Sequence, residues 1–344
     1  MLRTFASDNN APVAPEILQA LVEANRGDAV GYGHDPFTAA AIARLRGEFG
    51  ADADVFFAFN GTGANVMALS AVLRPYQAVV APATAHLNVD ECGALERFAG
   101  CKIVAIAAPD GKLRPADLAP LAGKAPDAHH VQPRVISISQ ATEFGTLYTP
   151  DELRTLCSFA HEQSWIVHLD GARIANAAAA QSIGLRAATR DLGVDILTLG
   201  GTKNGLMFGE AVIFFDPALH GGAAEFARKQ TTQLASKMRF VAVQFDALLQ
   251  DGRWRRYAAH ANAMAARLAD RVAGIPGVSI TRPVEINALF ATLDRAAIER
   301  LQAEFYFYVL DQTRPEVRWM TSHATREQDV DAFADALVRA LKPV

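Results

Sequence analysis

The feature that most constrains the fold is an alternation of short apolar runs, rich in β-forming residues, with longer amphipathic segments. The apolar runs are residues 55–59, 78–81, 102–107, 134–139, 165–170, 194–199 and 211–215. Residues 150–163, between two of these runs, follow a capping threonine and open with a proline and two acidic residues, the pattern of a helix start. Strands that alternate with helices favour a mainly parallel sheet with helices on both faces. We therefore predict an α/β fold with a mainly parallel, seven-stranded sheet.

The pattern changes after about residue 250. Helical patterns at residues 254–272, 296–304 and 326–341 now alternate with β-type runs at residues 278–281, 288–293 and 317–321. This mixture predicts a smaller α+β unit. We expect a large domain at residues 1–250, which includes an N-terminal arm, and a small C-terminal domain at residues 251–344.

Composition and charge narrow the class of protein. The chain has 344 residues, of which 51% are hydrophobic and 20% charged, as is typical of a globular protein. Its formal net charge of −4, with scattered Lys and Arg, disfavours a nucleic-acid partner. An apolar signal core at the N-terminus and a run of about 18 apolar residues are both missing, so we expect neither export nor a membrane partner. Three widely spaced cysteines predict no disulfide framework and fit a reducing cytoplasm.

In a doubly wound sheet, ligands bind beyond the carboxyl ends of the strands. The run at residues 55–59 is followed by Asn60-Gly61-Thr62-Gly63, which opens a helix whose free N–H groups would hold a phosphate. Taken alone, this turn is better explained as a tight connection between a strand and a helix. Its meaning depends on the residues that follow the other strands.

Four further side chains follow predicted strands. His86 comes after residues 78–81, Asp170 and Arg173 come at and after the end of 165–170, and Lys203 comes after 194–199. Each has an ordinary structural explanation, such as an ion pair between Asp170 and Arg173 or a solvated loop charge at Lys203. Together with the phosphate turn they are the set that pyridoxal phosphate needs: an amine for the Schiff base, a carboxylate for the ring nitrogen and a helix N-terminus for the phosphate.

The chain resembles the fold-type I pyridoxal-phosphate enzymes, and within them the low-specificity L-threonine aldolases of the β-eliminating lyase group. The matching segments are SD at 7–8, YGHDP at 32–36, NGTGAN at 60–65, AH at 85–86, HLDGARI at 168–174, TK at 202–203 and VRWMTSH at 317–323. The chain departs from the commoner family pattern in one place. Many members have a serine before the lysine and a G-T-P-x-G turn after it, where this chain has Thr202 and then Asn204-Gly205-Leu206.

The resemblance implies roles for individual residues. Lys203 would form the Schiff base, Asp170 would hold the pyridine nitrogen and His86 would stack on the ring. The other positions implied for cofactor binding are Gly61, Thr62, Gly63, Arg173, Thr202 and Arg239. The positions implied for substrate binding are Ser7, Tyr32, Arg173 and Arg318.

The base that takes the proton of a β-hydroxyl group is left open by the residues. His86 and the pair His129-His130 are the candidates, because a neutral imidazole suits this task. His130 aligns better with the second active-site histidine of the family.

Some of these residues would act in the site of a neighbouring subunit. Arg239 is expected to reach the phosphate of a neighbouring subunit, and Tyr32 to line the partner's pocket. For Arg228, Lys229 and Lys237, the solvated face of a helix is the alternative explanation.

The resemblance implies an aldolase that splits L-threonine, L-allo-threonine and aryl-serines into glycine and an aldehyde, as a homodimer or homotetramer. A second hypothesis keeps the cofactor but predicts β-elimination or transamination, with Lys203 as the base at Cα. A third is a non-catalytic protein that kept the fold. A dehydrogenase that binds a dinucleotide at Gly61-Thr62-Gly63 is disfavoured, because the turn lacks the third glycine of G-x-G-x-x-G.

Overall fold

The β-type runs of the first two thirds of the chain form one large sheet in the computed structural model, which describes residues 4–123, 125–311 and 313–342. Its strands are β1 (Asp54–Ala58), β2 (Gln77–Pro82), β3 (Lys102–Ile106), β4 (Gln132–Ser139), β5 (Ile166–Gly171), β6 (Ile196–Gly200) and β7 (Glu210–Phe214). Their order is β1-β7-β6-β5-β4-β2-β3, and β7 runs antiparallel to both of its neighbours while the other pairs are parallel. The predicted α/β fold with a mainly parallel, seven-stranded sheet is confirmed.

Helices cover both faces of this sheet. Those of the large domain are α1 (Pro15–Ala24), α2 (Pro36–Phe49), α3 (Gly61–Ser70), α4 (His86–Val89), α5 (Ala94–Ala99), α6 (Pro115–Leu118), α7 (Pro150–Glu162), α8 (Ile174–Ala180), α9 (Ala223–Gln230) and α10 (Arg239–Leu249). Helix α7 begins at the predicted cap, where the Thr149 hydroxyl accepts from Glu152 N at 3.2 Å and the Glu152 carboxylate accepts from Thr149 N at 2.8 Å.

The alternation of side chains along each strand divides the interior into two cores. In β1, Val55 and Phe57 enter the core under α1, α2, α7, α8 and α10, whereas Phe56 and Ala58 enter the core under α3, α5 and α9. Both cores are buried, so the sheet has apolar contacts on both faces. This explains why its strands appear in the sequence as continuous apolar runs.

The C-terminal part forms a second, antiparallel sheet with the strand order β10-β11-β9-β8. Its elements are α11 (Arg253–Val272), β8 (Ser279–Ile280), β9 (Ala288–Thr292), α12 (Arg295–Gln302), β10 (Tyr308–Asp311), β11 (Glu316–Met320) and α13 (Glu327–Leu341). The sequence prediction missed β10, although Tyr308, Val309 and Leu310 are β-forming residues; in the structure the strand is at the edge of the sheet and its side chains are exposed or half-buried. We propose the boundary between residues 250 and 251 as the division between the two domains.

The beginning of the described chain packs on this second sheet. The Phe5 ring lies 4.4 Å from that of Phe333 in a core shared with Trp319, and Met320 N donates to Phe5 O at 2.7 Å. These contacts place Ser7 and Asp8 next to the end of β11. The N-terminal segment therefore joins the C-terminal sheet to the edge of the large sheet.

Strand register brings several strand ends to one edge of the large sheet. Ser139 pairs with Asp170, Asp170 pairs with Thr198, and Glu210 pairs with both Ala58 and Gly200. Because β7 is reversed, its first residue lies beside the last residues of its neighbours. Residues that follow β1, β2, β4, β5 and β6 can therefore meet Glu210 in one place.

The cysteines form no disulfide bond in the described residues, and the helices are not of the membrane-spanning type. Cys92, Cys101 and Cys157 are all free thiols. Within the ranges that the structure describes, every helix is too short or too polar to cross a lipid bilayer.

Candidate active site

Lys203 lies in a short turn after β6 and lines a cavity at this edge of the sheet. Its Nζ makes no hydrogen bond or ion pair with any residue that the structure describes. Burial, and next the charge of Arg173, lower the pKa of Lys203, although the carboxylates of Asp8, Asp170 and Glu210 oppose this effect. A lowered pKa increases the neutral fraction of the amine, which is the form that attacks an aldehyde.

Asp170 is the last but one residue of β5 and lines the same cavity. Its Oδ1 accepts from Ala172 N at 2.9 Å, and its Oδ2 accepts from Asn65 Nδ2 at 3.0 Å. Burial opposes ionisation, but the Asn65 hydrogen bond and the charge of Lys203 hold the pKa of Asp170 below its ordinary value. The cavity therefore contains an ionised carboxylate.

A hydrogen-bonded chain connects Asp170 to His86. Asn65 Nδ2 also donates to Glu91 Oε1 at 2.9 Å, and the same oxygen lies 2.8 Å from His86 Nδ1. Thr198 fixes the amide by donating to Asn65 Oδ1 at 3.0 Å. The hydrogen bond to Glu91 is the main cause that raises the pKa of His86, against partial burial. The predictions had no signal for Glu91, an acidic residue in a loop.

Helix α3 presents its N-terminus at this edge. The N–H groups of Gly61 and Thr62 find no acceptor in the described ranges, and the space beside the Gly61 Cα is open. Such free N–H groups at a helix start form an anion site. Gly63 differs from its predicted role, because its N–H is donated to Asn60 Oδ1 at 2.8 Å. A Cβ at Gly63 would overlap the side-chain amide of Gln233, which would have to move away from Phe59 N and Thr231 O.

Thr202 and Glu210 interact beside Lys203. The Thr202 hydroxyl donates to Glu210 Oε1 at 3.2 Å and accepts from Gly209 N at 3.2 Å. Thr202 was predicted to bind phosphate, and in the structure this hydroxyl is already engaged by Glu210. Burial is the main cause that raises the pKa of Glu210 to about 8, even though the charge of Lys203 opposes it. The prediction had no signal for Glu210, which begins an otherwise apolar strand.

Two arginines lie together where the N-terminal segment meets the cavity. Arg173 forms a bidentate ion pair with buried Asp8, with Nε–Oδ2 and Nη2–Oδ1 distances of 2.8 and 2.9 Å. Arg318 has no carboxylate partner in the described ranges, and its Nε is buried without an acceptor. Burial, and next the charge of Arg173, lower the pKa of Arg318. Two neighbouring guanidinium groups that share a single carboxylate form a site for a further anion.

Ser7 is beside this pair of arginines. Its hydroxyl accepts from Asn9 N at 3.2 Å and caps a short 3-10 turn, so Ser7 also holds Asp8 in place.

Glu143, which the sequence analysis did not select, also lines the cavity. It follows β4, and its Oε1 accepts from His86 N at 3.1 Å and from Ser139 Oγ at 2.6 Å. Burial is the main cause that raises the pKa of Glu143.

The structure does not bring His129 and His130 to this cavity of their own chain. They precede β4, so they lie at the amino end of the strand, whereas Asp170 and Lys203 lie at and after the carboxyl ends of their strands. His130 is exposed over 77% of its side chain, its Nδ1 lies 2.6 Å from Asp127, and it lines a separate cavity of about 850 Å³. His130 therefore does not line the cavity of its own chain in this structure, and its catalytic role stays a prediction.

Tyr32 and Arg239 also lie outside the cavity of their own chain. Tyr32 N donates to Ser236 O at 2.8 Å, and its ring lies 5.6 Å from Lys229 Nζ. Arg239 Nη1 donates to Gly27 O at 3.2 Å. Both residues were expected to serve a neighbouring subunit, and these positions are compatible with that role.

The raised pKa of Glu210 predicts a pH-dependent effect on stability. Between the ordinary value of 4.5 and about 8, folded Glu210 keeps a proton that the unfolded chain releases, so its contribution to stability falls as the pH rises. Glu210→Gln mimics the protonated acid. We expect the free energy of unfolding of this variant, relative to wild type, to increase by on the order of 1 kcal/mol per pH unit across that window.

Denaturant unfolding of the cofactor-free chain at several pH values measures this difference. Glu299→Gln, at an exposed position of α12, is the matched control and should show a constant difference from wild type. A Glu210→Gln difference that does not change with pH would contradict a proton held by Glu210.

Comparison with known proteins agrees with this geometry. The family model described as beta-eliminating lyase matches residues 4–296. A low specificity L-threonine aldolase from Pseudomonas aeruginosa is 45% identical over 89% of this chain and 89% of its own length, and one from a Pseudomonas species is 42% identical over 98% and 97%. A solved structure of Leishmania major threonine aldolase superimposes with a TM-score of 0.92 at 34% identity, covering 98% of this chain and 99% of that one.

The family match covers most of the chain, and the two Pseudomonas relatives cover nearly all of it. Fold, sequence and the arrangement of strand-end residues lead to the same assignment. The chain belongs to the beta-eliminating lyase family.

Proposed function

We propose that this chain is a pyridoxal-phosphate-dependent aldolase that cleaves L-threonine and L-allo-threonine, and also aryl-serines, into glycine and an aldehyde. The observation that carries the proposal is the unpaired Lys203 amine, which shares a cavity with the Asp170 carboxylate and lies near a pair of arginines. The names of the relatives support the choice of substrate.

The residues of the cavity fit the proposed cofactor. Lys203 would bind its aldehyde carbon, Asp170 would hold a protonated ring nitrogen, and His86 would cover one face of the ring. The free N–H groups of Gly61 and Thr62 would hold its phosphate in the open space beside Gly61. When bound, pyridoxal phosphate supplies an electron sink for a bond that is broken at Cα.

The protein would choose the bond by orienting the substrate. Arg173 and Arg318 would hold the carboxylate, with Arg318 contributed from β11 of the C-terminal sheet. A carboxylate held at two guanidinium groups leaves little rotation about Cα. This orientation of the substrate would select Cα–Cβ as the bond that breaks. A base must then take the proton of the β-hydroxyl group.

The wild-type protein should be yellow when purified with pyridoxal phosphate and should release acetaldehyde and glycine from L-threonine. Lys203→Ala should lose both the colour and the cleavage, because the covalent link to the cofactor is removed. Visible absorption and an aldehyde assay measure the two effects. Lys342→Ala, at an exposed lysine after α13, is the matched control.

Two outcomes would contradict the proposal in different ways. A wild-type chain that takes up no pyridoxal phosphate would contradict the cofactor. Ammonia and an oxo acid without aldehyde would contradict the aldolase and favour β-elimination instead.

Arg318→Ala should raise the KM for L-threonine by about 10-fold to 100-fold, because one charge-assisted contact to the carboxylate is lost. The visible spectrum of the cofactor should not change. Arg314→Ala, at an exposed position in the turn before the same strand, should leave KM unchanged. If Arg318→Ala lost its colour, Arg318 would belong to the cofactor site and not to the substrate site.

We also propose a homodimer or homotetramer with shared sites, located in the cytoplasm. Apolar side chains of the chain segments that flank the cavity residues are exposed: Tyr32 by 51%, Phe59 by 36% and Met207 by 46%. Neighbouring exposed apolar groups are typical of a protein interface. A partner there would bring Arg239 to the other subunit's phosphate, and His130 would contribute to a site only from another copy. The three free thiols fit a reducing compartment.

Mixing two inactive variants tests the shared site. Arg239→Ala should lose activity at limiting cofactor, and Lys203→Ala should be inactive. If Arg239 serves the partner's site, random mixed dimers have one intact site, so co-expression should restore about one quarter of the wild-type activity. If Arg239 serves its own chain, every mixed site keeps one substitution or the other and the activity stays low, which would exclude the shared site.

A further inference from the structure

We propose that Glu143 is a further catalytic residue, whose Oε2 takes the proton of the substrate's β-hydroxyl group when Cα–Cβ breaks. This inference rests on the proposed aldolase function. Orienting the substrate selects the bond that breaks, but the reaction also needs a base, and this inference says which residue it is.

One oxygen of Glu143 is fixed and the other is free. Oε1 accepts from His86 N and Ser139 Oγ, at 3.1 and 2.6 Å, so the carboxyl group is held from two sides. Oε2 is shielded from solvent and has no hydrogen-bond partner within the described ranges. An unpaired buried carboxyl oxygen is costly, by about 1–3 kcal/mol, and calls for a partner that binds during function.

Glu143 lies near the residues that are proposed to hold the reacting part of the substrate. It contacts the backbone of His86, the residue proposed to cover the ring, and its charge acts on Arg173, the residue proposed to hold the carboxylate. Cα would lie between the ring that His86 is proposed to cover and the carboxylate that Arg173 is proposed to hold. Glu143, which contacts His86 and lines the same cavity as Arg173, would therefore be near Cα and its β substituent.

The surroundings of Glu143 suit proton transfer. Burial is the largest effect on its pKa and raises it, the charge of Asp170 acts in the same direction, and the hydrogen bonds from Ser139 and His86 oppose the rise. The charge of Glu143 also raises the pKa values of Arg173 and Tyr148. A carboxylate with its ordinary pKa is a weak base, and a raised pKa brings it closer to the pH at which an enzyme works.

His86 is less suited to this task than the sequence suggested. Its Nδ1 is engaged by Glu91, and this contact raises the pKa of the imidazole and favours the cation. A cationic imidazole has no lone pair with which to accept a proton. With His130 at the other edge of the sheet, Glu143 is an acceptor in this cavity that combines a buried, unpaired oxygen with a raised pKa.

The step balances with groups already named. The hydroxyl proton moves to Glu143 Oε2, the O–H electron pair forms the second bond of the aldehyde, and the Cα–Cβ pair remains on Cα. Glu143 then releases its proton to solvent as the aldehyde leaves. Cα takes up one proton from solvent to give glycine.

Glu143→Gln tests the inference in the holoenzyme, because the amide oxygen can still accept from His86 and Ser139. We expect kcat for L-threonine cleavage to fall by about 100-fold or more. The acidic limb of the wild-type pH profile, where protonation of Glu143 stops cleavage, should disappear. Cofactor absorption and the exchange of glycine Cα hydrogen for deuterium should remain within about twofold, since neither involves a β-hydroxyl group.

Controls separate this inference from the proposed function. Glu143→Asp should recover part of the lost kcat, and Glu299→Gln should match wild type. In infrared difference spectra of the cofactor-free protein, a carboxyl band that Glu143→Gln lacks should titrate at a higher pH than an ordinary Glu carboxyl group. A wild type that does not cleave threonine would overturn the proposed function. A cleaving wild type would overturn the role of Glu143 if Glu143→Gln retained full kcat, or if it lost glycine exchange and absorption as well.

Discussion

The site depends on how buried charges compensate one another at one edge of the sheet. Removing a carboxylate or an ammonium group from water costs several kcal/mol, so each needs partners. Asp8 is paired with Arg173, and Asp170 is held by Asn65 and the charge of Lys203. For Glu210, burial outweighs the charge of Lys203 and the hydrogen bond from Thr202, so its pKa is raised to about 8. This distribution decides which groups are bases, which are acids and where an anion can bind.

Much of the fold and part of the site could be predicted, because both follow from local sequence and strand direction. A strand that ends in a parallel sheet delivers the next residues to a known edge. The direction of the strands therefore predicts that His86, Asp170 and Lys203 share one site, and in the structure all three line one cavity. The same reasoning could have excluded His130 from its own chain's site, since it precedes its strand and the others follow theirs.

The remaining site residues could not be predicted, because their roles depend on contacts between distant parts of the chain. Glu91 and Glu143 look like ordinary loop acids in the sequence, and both become significant only through His86. Glu210 begins an apolar strand, and its raised pKa results from the burial of that strand end between two neighbours. Gly63 was assigned to a phosphate turn, whereas its missing side chain makes room for Gln233.

The N-terminal segment connects the C-terminal sheet to the proposed substrate site. Phe5 packs in the aromatic core of the C-terminal sheet, and three residues later Asp8 pairs with Arg173 at the edge of the large sheet. The same segment is the acceptor for Arg318, through Ala6 O at 3.5 Å. Because Asp8 offsets the charge of only one guanidinium group, the pair keeps an unsatisfied attraction for an anion. An anion held by both groups would offset the repulsion between Arg173 and Arg318, so the proposed substrate carboxylate would be attracted to this place and its Cα held in one orientation.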